Sequence, residues 1–143
     1  MNVIILGPLR EGGIKLPLYS SMIPAGFPSP AADHIEQSLS LDEMCNVRAP
    51  HVYIGKIQGD SMQGAGIFNG DFIVVDRSMY AEDGHVVVAA LNSEHVCKRL
   101  YMRDNVIILK SENKKYPPRY VMEGDELVIL GVVKHCVRGI EKA

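Results

Sequence analysis

The sequence predicts a mostly β domain over about residues 50–143, preceded by an irregular N-terminal arm over residues 1–49. Three observations carry this reading. From His51 onward, short runs rich in Val, Ile and Tyr recur at strand length and are bounded by turn residues. Hydrophobic residues make up 47% of the 143, ample for a core and too many for global disorder. The first fifty residues, by contrast, hold six of the eight prolines and few strand-like runs.

In the arm, the stretch "IPAGFPSPAAD" (23–33) carries Pro24, Pro28 and Pro30 around the small pair Ala25-Gly26. Prolines this dense forbid a regular helix or a central strand before Pro30. Ser29 suits an N-cap and Pro30 the first helical position, so a short helix is expected near 30–39. Ser40 followed by Glu43 is a capping box and starts a second short helix. In the β region the expected strands are 51–57, 71–76, 84–91, 94–101, 105–110 and 127–137. Asn92-Ser93 reads as a tight hairpin turn, with further turns at "RDN" (103–105) and "EGDE" (123–126).

Composition narrows the function. A net charge of −2, with an isoelectric point near 6.2, lacks the basic footprint of a nucleic-acid binder. With no Trp and only 6% aromatic residues, a base-stacking platform is poorly supported. Cys45, Cys97 and Cys136 are odd in number, widely spaced and without a CxxC, as expected for free thiols in a reducing compartment. The start "MNVIILGPLR" lacks a basic leader, and its apolar run stops at Gly7-Pro8. No apolar run is long enough to span a bilayer. A cytoplasmic protein without a membrane anchor is the expectation.

Two stretches are candidates for chemistry. Ser61 sits in "GDSMQGAGIFNGDFIVVD" (59–76), where Gly59, Gly64, Gly66 and Gly70 permit tight or left-handed backbone. Such a loop can expose a hydroxyl and turn amides toward an oxyanion. It can equally be a glycine-rich turn with an incidental serine. Lys98 lies in "EHVCKRLY" (94–101). Strand alternation puts it on one face with Val96 and Leu100, while Cys97 and Arg99 take the other. If the apolar face is core, burial lowers the lysine pKa, and a neutral amine can serve as general base toward a serine. The plainer alternative is a surface lysine with a snorkelling stem. Together the two describe a Ser/Lys dyad.

Competing chemistries are weaker. None of the five histidines lies in a triad context, and Ser61 lacks a G-x-S-x-G elbow. His95 with Cys97, and His135 with Cys136, lack the spacing of a metal motif; no cofactor or metal is expected. The basic "KSENKKYPPR" (110–119) reads as a solvated turn.

The pieces "GFPSPAADHIEQ" (26–37), "GDSM" (59–62), "GDFIVVD" (70–76), "CKRL" (97–100) and "GVVKHCV" (131–137), in this order and across nearly the whole chain, resemble the LexA/UmuD family of self-cleaving serine peptidases. The resemblance implies a fold of curved, packed sheets. It implies Ser61 as nucleophile, Lys98 as general base and Ala25-Gly26 as the bond cut; on physical grounds, the backbone amides near Asp60 and Ser61 are the candidates for the oxyanion hole. About 25 residues before the cleavage point leave no room for a helix-turn-helix domain, so a repressor is not expected. The family pattern further implies cleavage stimulated by a RecA–single-stranded-DNA filament. The processed homodimer then acts with a UmuC-type subunit, and with the replicative sliding clamp, in error-prone translesion synthesis during the SOS response. Sequence-specific DNA binding is not implied. Two alternatives remain: a non-catalytic β-domain dimer that only binds partners, and a membrane signal peptidase, which also uses Ser and Lys.

Overall fold

The computed structural model describes residues 2–7, 15–19 and 35–141. Ala25-Gly26 lies outside them. Ten strands are described: β1 (Asn2–Gly7), β2 (Lys15–Tyr19), β3 (Ile35–Ser40), β4 (Val52–Gln58), β5 (Phe72–Asp76), β6 (Val86–Leu91), β7 (Glu94–Arg103), β8 (Val106–Lys110), β9 (Arg119–Val121) and β10 (Leu127–Val137). One helix, α1 (Leu41–Cys45), and one 3-10 turn, Gln63–Ala65, accompany them. The mostly β expectation holds.

Eight strands form one antiparallel sheet in the order β1-β4-β5-β10-β6-β7-β8-β9. Its centre is β10, which pairs along its first half with β6 and along its second with β5. Bulges between Ile129 and Gly131 and between Val133 and His135 bend it. Gly131 is required there: at φ +150° a Cβ would stand 2.6 Å from Val75 and 2.9 Å from the Asp76 carbonyl oxygen. The bend curls the sheet until β1 approaches β7. Val3 then packs with Tyr53, Ile57, Met62, Ile73, Val75, Val88 and Cys97 in a first core. A second core joins Val87, Ala89, Leu100, Leu109 and Val132. The run "VVVAA" of β6 therefore feeds both cores, Val88 into one and Val87 and Ala89 into the other, as a doubly covered strand should. On the other face of β4 and β5, α1 and its exit close a third cluster of Cys45, Val47, Val52 and Val74.

The turns match the sequence. Asn92 and Ser93 both have positive φ (51° and 70°), as do Asp104 and Asn105 (49° and 66°), the signature of two-residue hairpins with type I′ turns. Ser40 caps α1 by accepting a hydrogen bond from the Glu43 amide at 3.1 Å.

The arm is different from expectation. Of the helix expected near 30–39, residues 30–34 lie outside the described residues, and Ile35–Ser40 instead form β3, paired antiparallel with β2 in a separate two-stranded sheet. A helix of ten residues is marginal alone, and "HIEQSL" contains no strong helix formers beyond Glu, Gln and Leu. Ladder pairing with "KLPLY" outweighs that weak local preference. Pro17 is tolerated because both strands of a two-stranded sheet are edges. The apolar "NVIILG" at the start is also a strand, bonded to β4. Among the described residues of the first fifty there are thus one short helix and three strands. Among the described residues no helix is long and apolar enough to cross a membrane.

Candidate active site

The loop 59–71 joins β4 to β5 and carries Ser61. Its ends are drawn together by the Gly70 amide donating to the Ile57 carbonyl and the Ile57 amide donating to Asp71, both at 2.8 Å. The Asn69 side chain accepts from the Gly59 amide at 2.9 Å. Inside the loop, Met62 is fully buried in the first core and its carbonyl accepts from Ala65 and Ile67. Ser61 is itself buried, at 0% exposure.

The loop is anchored from β10 by Asp71. This carboxylate is buried, and its Oδ2 accepts from the Phe68 amide at 2.7 Å, the Cys136 thiol at 3.0 Å and the Arg138 guanidinium at 2.6 Å. Arg138 also lies over the Phe68 ring, 4.5 Å from its centroid. Burial and the bond to Asp71 push the Cys136 thiol up to about 11, so it stays a neutral donor at ordinary pH.

On the opposite side, residues 111–116, which follow β8, pack onto the same loop. The Gly64 amide donates to the Glu112 carbonyl at 2.7 Å, and the Asn113 side chain donates to the Asp60 carbonyl at 2.9 Å. The Tyr116 hydroxyl donates to Asp60 Oδ1, while Lys115 pairs with Asp60 Oδ2 at 2.6 Å. Gly64 is a close-approach glycine: a Cβ there would stand 2.6 Å from the Glu112 carbonyl oxygen.

Lys98 comes to this place from β7. It is half-buried, beside Val96 and Leu100 on the face that borders the second core, while Cys97 points into the first core at 0% exposure. The alternation expected from the sequence is therefore observed. Lys98 Nζ donates to Ser111 Oγ at 2.7 Å and lies 5.6 Å from the Tyr116 ring centroid. Through Ser111, Tyr116 and Asp60, one short segment links the lysine to the Ser61 loop.

The electrostatics single out the lysine. Burial lowers the Lys98 pKa, opposed by Cys97 and Glu94. Its neighbours move the other way. The bonds from Lys115 and Tyr116 hold Asp60 below the usual carboxylate range, which makes it a poorer base. The Asp60 bond raises both Lys115 and Tyr116, keeping one an ammonium and the other a phenol. Burial pushes Cys97 up to about 12 and removes it as a thiolate. Among these groups Lys98 alone is shifted toward availability as a neutral-pH base.

Sequence reading singled out Ser61, Lys98 and Asp60 but passed over Ser111, Asn113 and Tyr116, which bond to Lys98 and Asp60 in the structure. A signal existed: counting outward from the Asp104-Asn105 turn places residue 111 opposite 98. The large cavity bounded by Ile5, Val52, Tyr53, His95 and Leu130, about 360 Å³, includes neither Ser61 nor Lys98.

Similarity to known proteins covers the same ground. The model of the Peptidase S24-like family matches residues 17–134, a span that includes Ser61 and Lys98. Protein MucA of Salmonella typhimurium is 40% identical over 122 residues, 85% of this chain and 83% of its own. Protein ImpA of Escherichia coli is 35% identical over 130 residues, 91% of this chain and 88% of its own. The LexA repressor of Anaeromyxobacter dehalogenans is 34% identical over 134 residues, 91% of this chain but 58% of the repressor.

Proposed function

Because the chain belongs to the Peptidase S24-like family, one of self-cleaving serine peptidases, we propose that it cuts its own Ala25-Gly26 bond with Ser61 as nucleophile and Lys98 as general base. The observation that carries the reading is the half-buried Lys98 amine, lowered in pKa and joined through Ser111 and Tyr116 to the loop of Ser61.

The chemistry is acyl transfer in two steps. Neutral Lys98 takes the Ser61 hydroxyl proton as Oγ bonds to the Ala25 carbonyl carbon. Amides of Asp60 and Ser61 hold the oxyanion. The Ala25–Gly26 C–N bond breaks, and the Lys98 ammonium returns the proton to the Gly26 nitrogen, which leaves as a new amino terminus. Water, deprotonated by Lys98, then hydrolyses the Ala25 ester and regenerates Ser61. Three prolines among residues 23–33 disfavour helix by their own chemistry, which suits a peptidase substrate, and Ala25 and Gly26 are small enough for close approach.

The sequence resemblance extends the reading to biology. The arm, 1–49, carries the cleavage site and residues 50–143 the peptidase and dimerisation functions. A RecA–single-stranded-DNA filament stimulates the cut by favouring the docked arm. The processed cytoplasmic homodimer serves a UmuC-type polymerase subunit, with the sliding clamp, in SOS translesion synthesis.

The test is a gel. Incubated at alkaline pH, or with RecA, single-stranded DNA and a nucleotide, the wild-type chain should yield a fragment from Gly26 to Ala143. Ser61→Ala and Lys98→Ala should both remain intact. Wild-type protein intact under every condition favours the non-catalytic dimer instead.

A further inference from the structure

The dyad reading leaves one requirement unmet. An amine that is to accept a proton must direct its single lone pair at the serine, and a primary amine on a four-carbon stem has no intrinsic preference. Something must hold its N–H bonds elsewhere. On β7 the flanking residues are Val96 and Leu100, which offer no acceptor side chain. Across the ladder on β6, Val87 pairs with Lys98 and offers none either. From β8's exit, the Ser111 hydroxyl accepts from the amine at 2.7 Å.

We propose that Ser111 is a positioning residue for Lys98: its Oγ takes one N–H of the amine and so aims the remaining lone pair at Ser61. The inference rests on the Ser/Lys reading and adds a residue to it. Ser111 is well held for the task. It follows β8 directly, opposite Lys98 in the hairpin. The next residue, Glu112, is tied twice, by its carbonyl to the Gly64 amide at 2.7 Å and by its carboxylate to Arg99 at 2.5 Å. The same backbone thus fixes Ser111 and the loop of Ser61 relative to each other. The ring of Tyr116 stands 5.6 Å from Nζ and limits where the amine can swing.

The role has a signature that a scaffold residue lacks. A hydroxyl oxygen accepts more strongly from an ammonium than from an amine, so Ser111 raises the Lys98 pKa against the lowering by burial. Its removal therefore acts in two directions at once. The amine becomes easier to deprotonate, yet it is no longer aimed. Among the described residues, Glu94 and Cys97 on its own strand act on the amine, the Tyr116 ring stands near it, and Tyr116 leads on to the Asp60–Lys115 pair. These stay in place when Ser111 is changed to Ala.

The experiment is self-cleavage of the full chain from pH 6 to 11, for wild type, Ser111→Ala, Ser111→Thr and Lys98→Ala. Ser111→Ala should lower the plateau rate by about 10–100-fold, the scale of a misaimed catalytic group, and move the midpoint to lower pH. Ser111→Thr, which keeps the hydroxyl, should restore both. A lowered plateau with an unmoved midpoint overturns the proposal and marks Ser111 as scaffold; wild-type behaviour of Ser111→Ala overturns it outright. Cleavage by Lys98→Ala defeats the dyad reading itself. Independently of cleavage, a ¹³C titration of the Lys98 Cε in Ser61→Ala protein should show the Lys98 midpoint falling further when Ser111→Ala is added. An unchanged midpoint there overturns the proposal whether or not the chain cleaves.

Discussion

Gly64→Ala tests the joint between the Ser61 loop and the 111–116 segment. The added Cβ would stand 2.6 Å from the Glu112 carbonyl oxygen and 3.3 Å from its carbon, and both atoms are main chain. No rotamer change can relieve the clash, so the two segments must part. Parting loses the 2.7 Å bond from the Gly64 amide to Glu112, worth about 1 kcal/mol net. Strain in whatever contacts remain adds about 1–3 kcal/mol. The expected destabilisation is therefore about 2–4 kcal/mol. Gly66→Ala is the internal control: its Cβ meets nothing within 4 Å, and only its φ of +80° penalises alanine, by about 1–2 kcal/mol. Urea unfolding followed by far-ultraviolet circular dichroism gives both values. Gly64→Ala should unfold at clearly lower urea than Gly66→Ala. Equal midpoints, or a smaller loss at Gly64, would refute the claim that this contact joins the segments.

Lys98→Met should abolish cleavage while making the chain more stable near neutral pH. The sign follows from linkage. Burial holds the folded Lys98 pKa below its ordinary 10.5, so the folded chain binds this proton more weakly than the unfolded one. The penalty is full below the folded pKa and fades as pH rises from there to 10.5. The stability gap between Lys98→Met and wild type should accordingly shrink between pH 7 and pH 10.5; a gap that widens contradicts the burial assigned to the amine. Asp71→Ala should cost about 3 kcal/mol, because it strands Arg138 and the Phe68 amide beside a buried site. A urea midpoint within experimental error of wild type would show that Asp71 does not anchor the loop.

Legibility in the sequence followed the range of the interaction that decides each element. Strands β4 to β8 and β10 were readable because β-branched runs between turn residues report a local preference that the sheet then uses. The Asn92-Ser93 turn was readable for the same reason, since its positive φ values suit residues that tolerate them. Strands β1 to β3 were not. "NVIILG" is a short apolar run cut off by Pro8, and "KLPLY" contains a proline. What makes them strands is pairing with β4 and with each other, which no window of ten residues contains. β9 is three residues after Pro117-Pro118 and gives no period at all. At the site, Lys98 was legible because alternation put it among apolar neighbours. Ser111 and Tyr116 were hidden inside a basic run whose bland reading is a solvated turn. Their use depends on hairpin register, a property of two strands rather than one.

The arrangement around Ser61 follows from its being on a loop at all. A serine on a turn gains freedom of backbone conformation, here through Gly59, Gly66 and Gly70 at positive φ, but loses the rigidity that a strand would give. That rigidity is returned by parts of the chain far away in sequence. Asp71, Cys136 and Arg138 hold one end of the loop to the last turn of β10. Asn113, Tyr116 and the Glu112 carbonyl hold the other end to the exit of β8. The second set also carries Ser111 and so reaches Lys98. One segment of six residues, 111–116, therefore fixes the Ser61 loop and the amine in a single frame. Polar groups already set in place need no reorganisation as charge develops, which is what the proposed Ser61–Lys98 chemistry asks of this frame. Asp60, next to Ser61, braces the same frame, with both of its oxygens bonded by Tyr116 and Lys115.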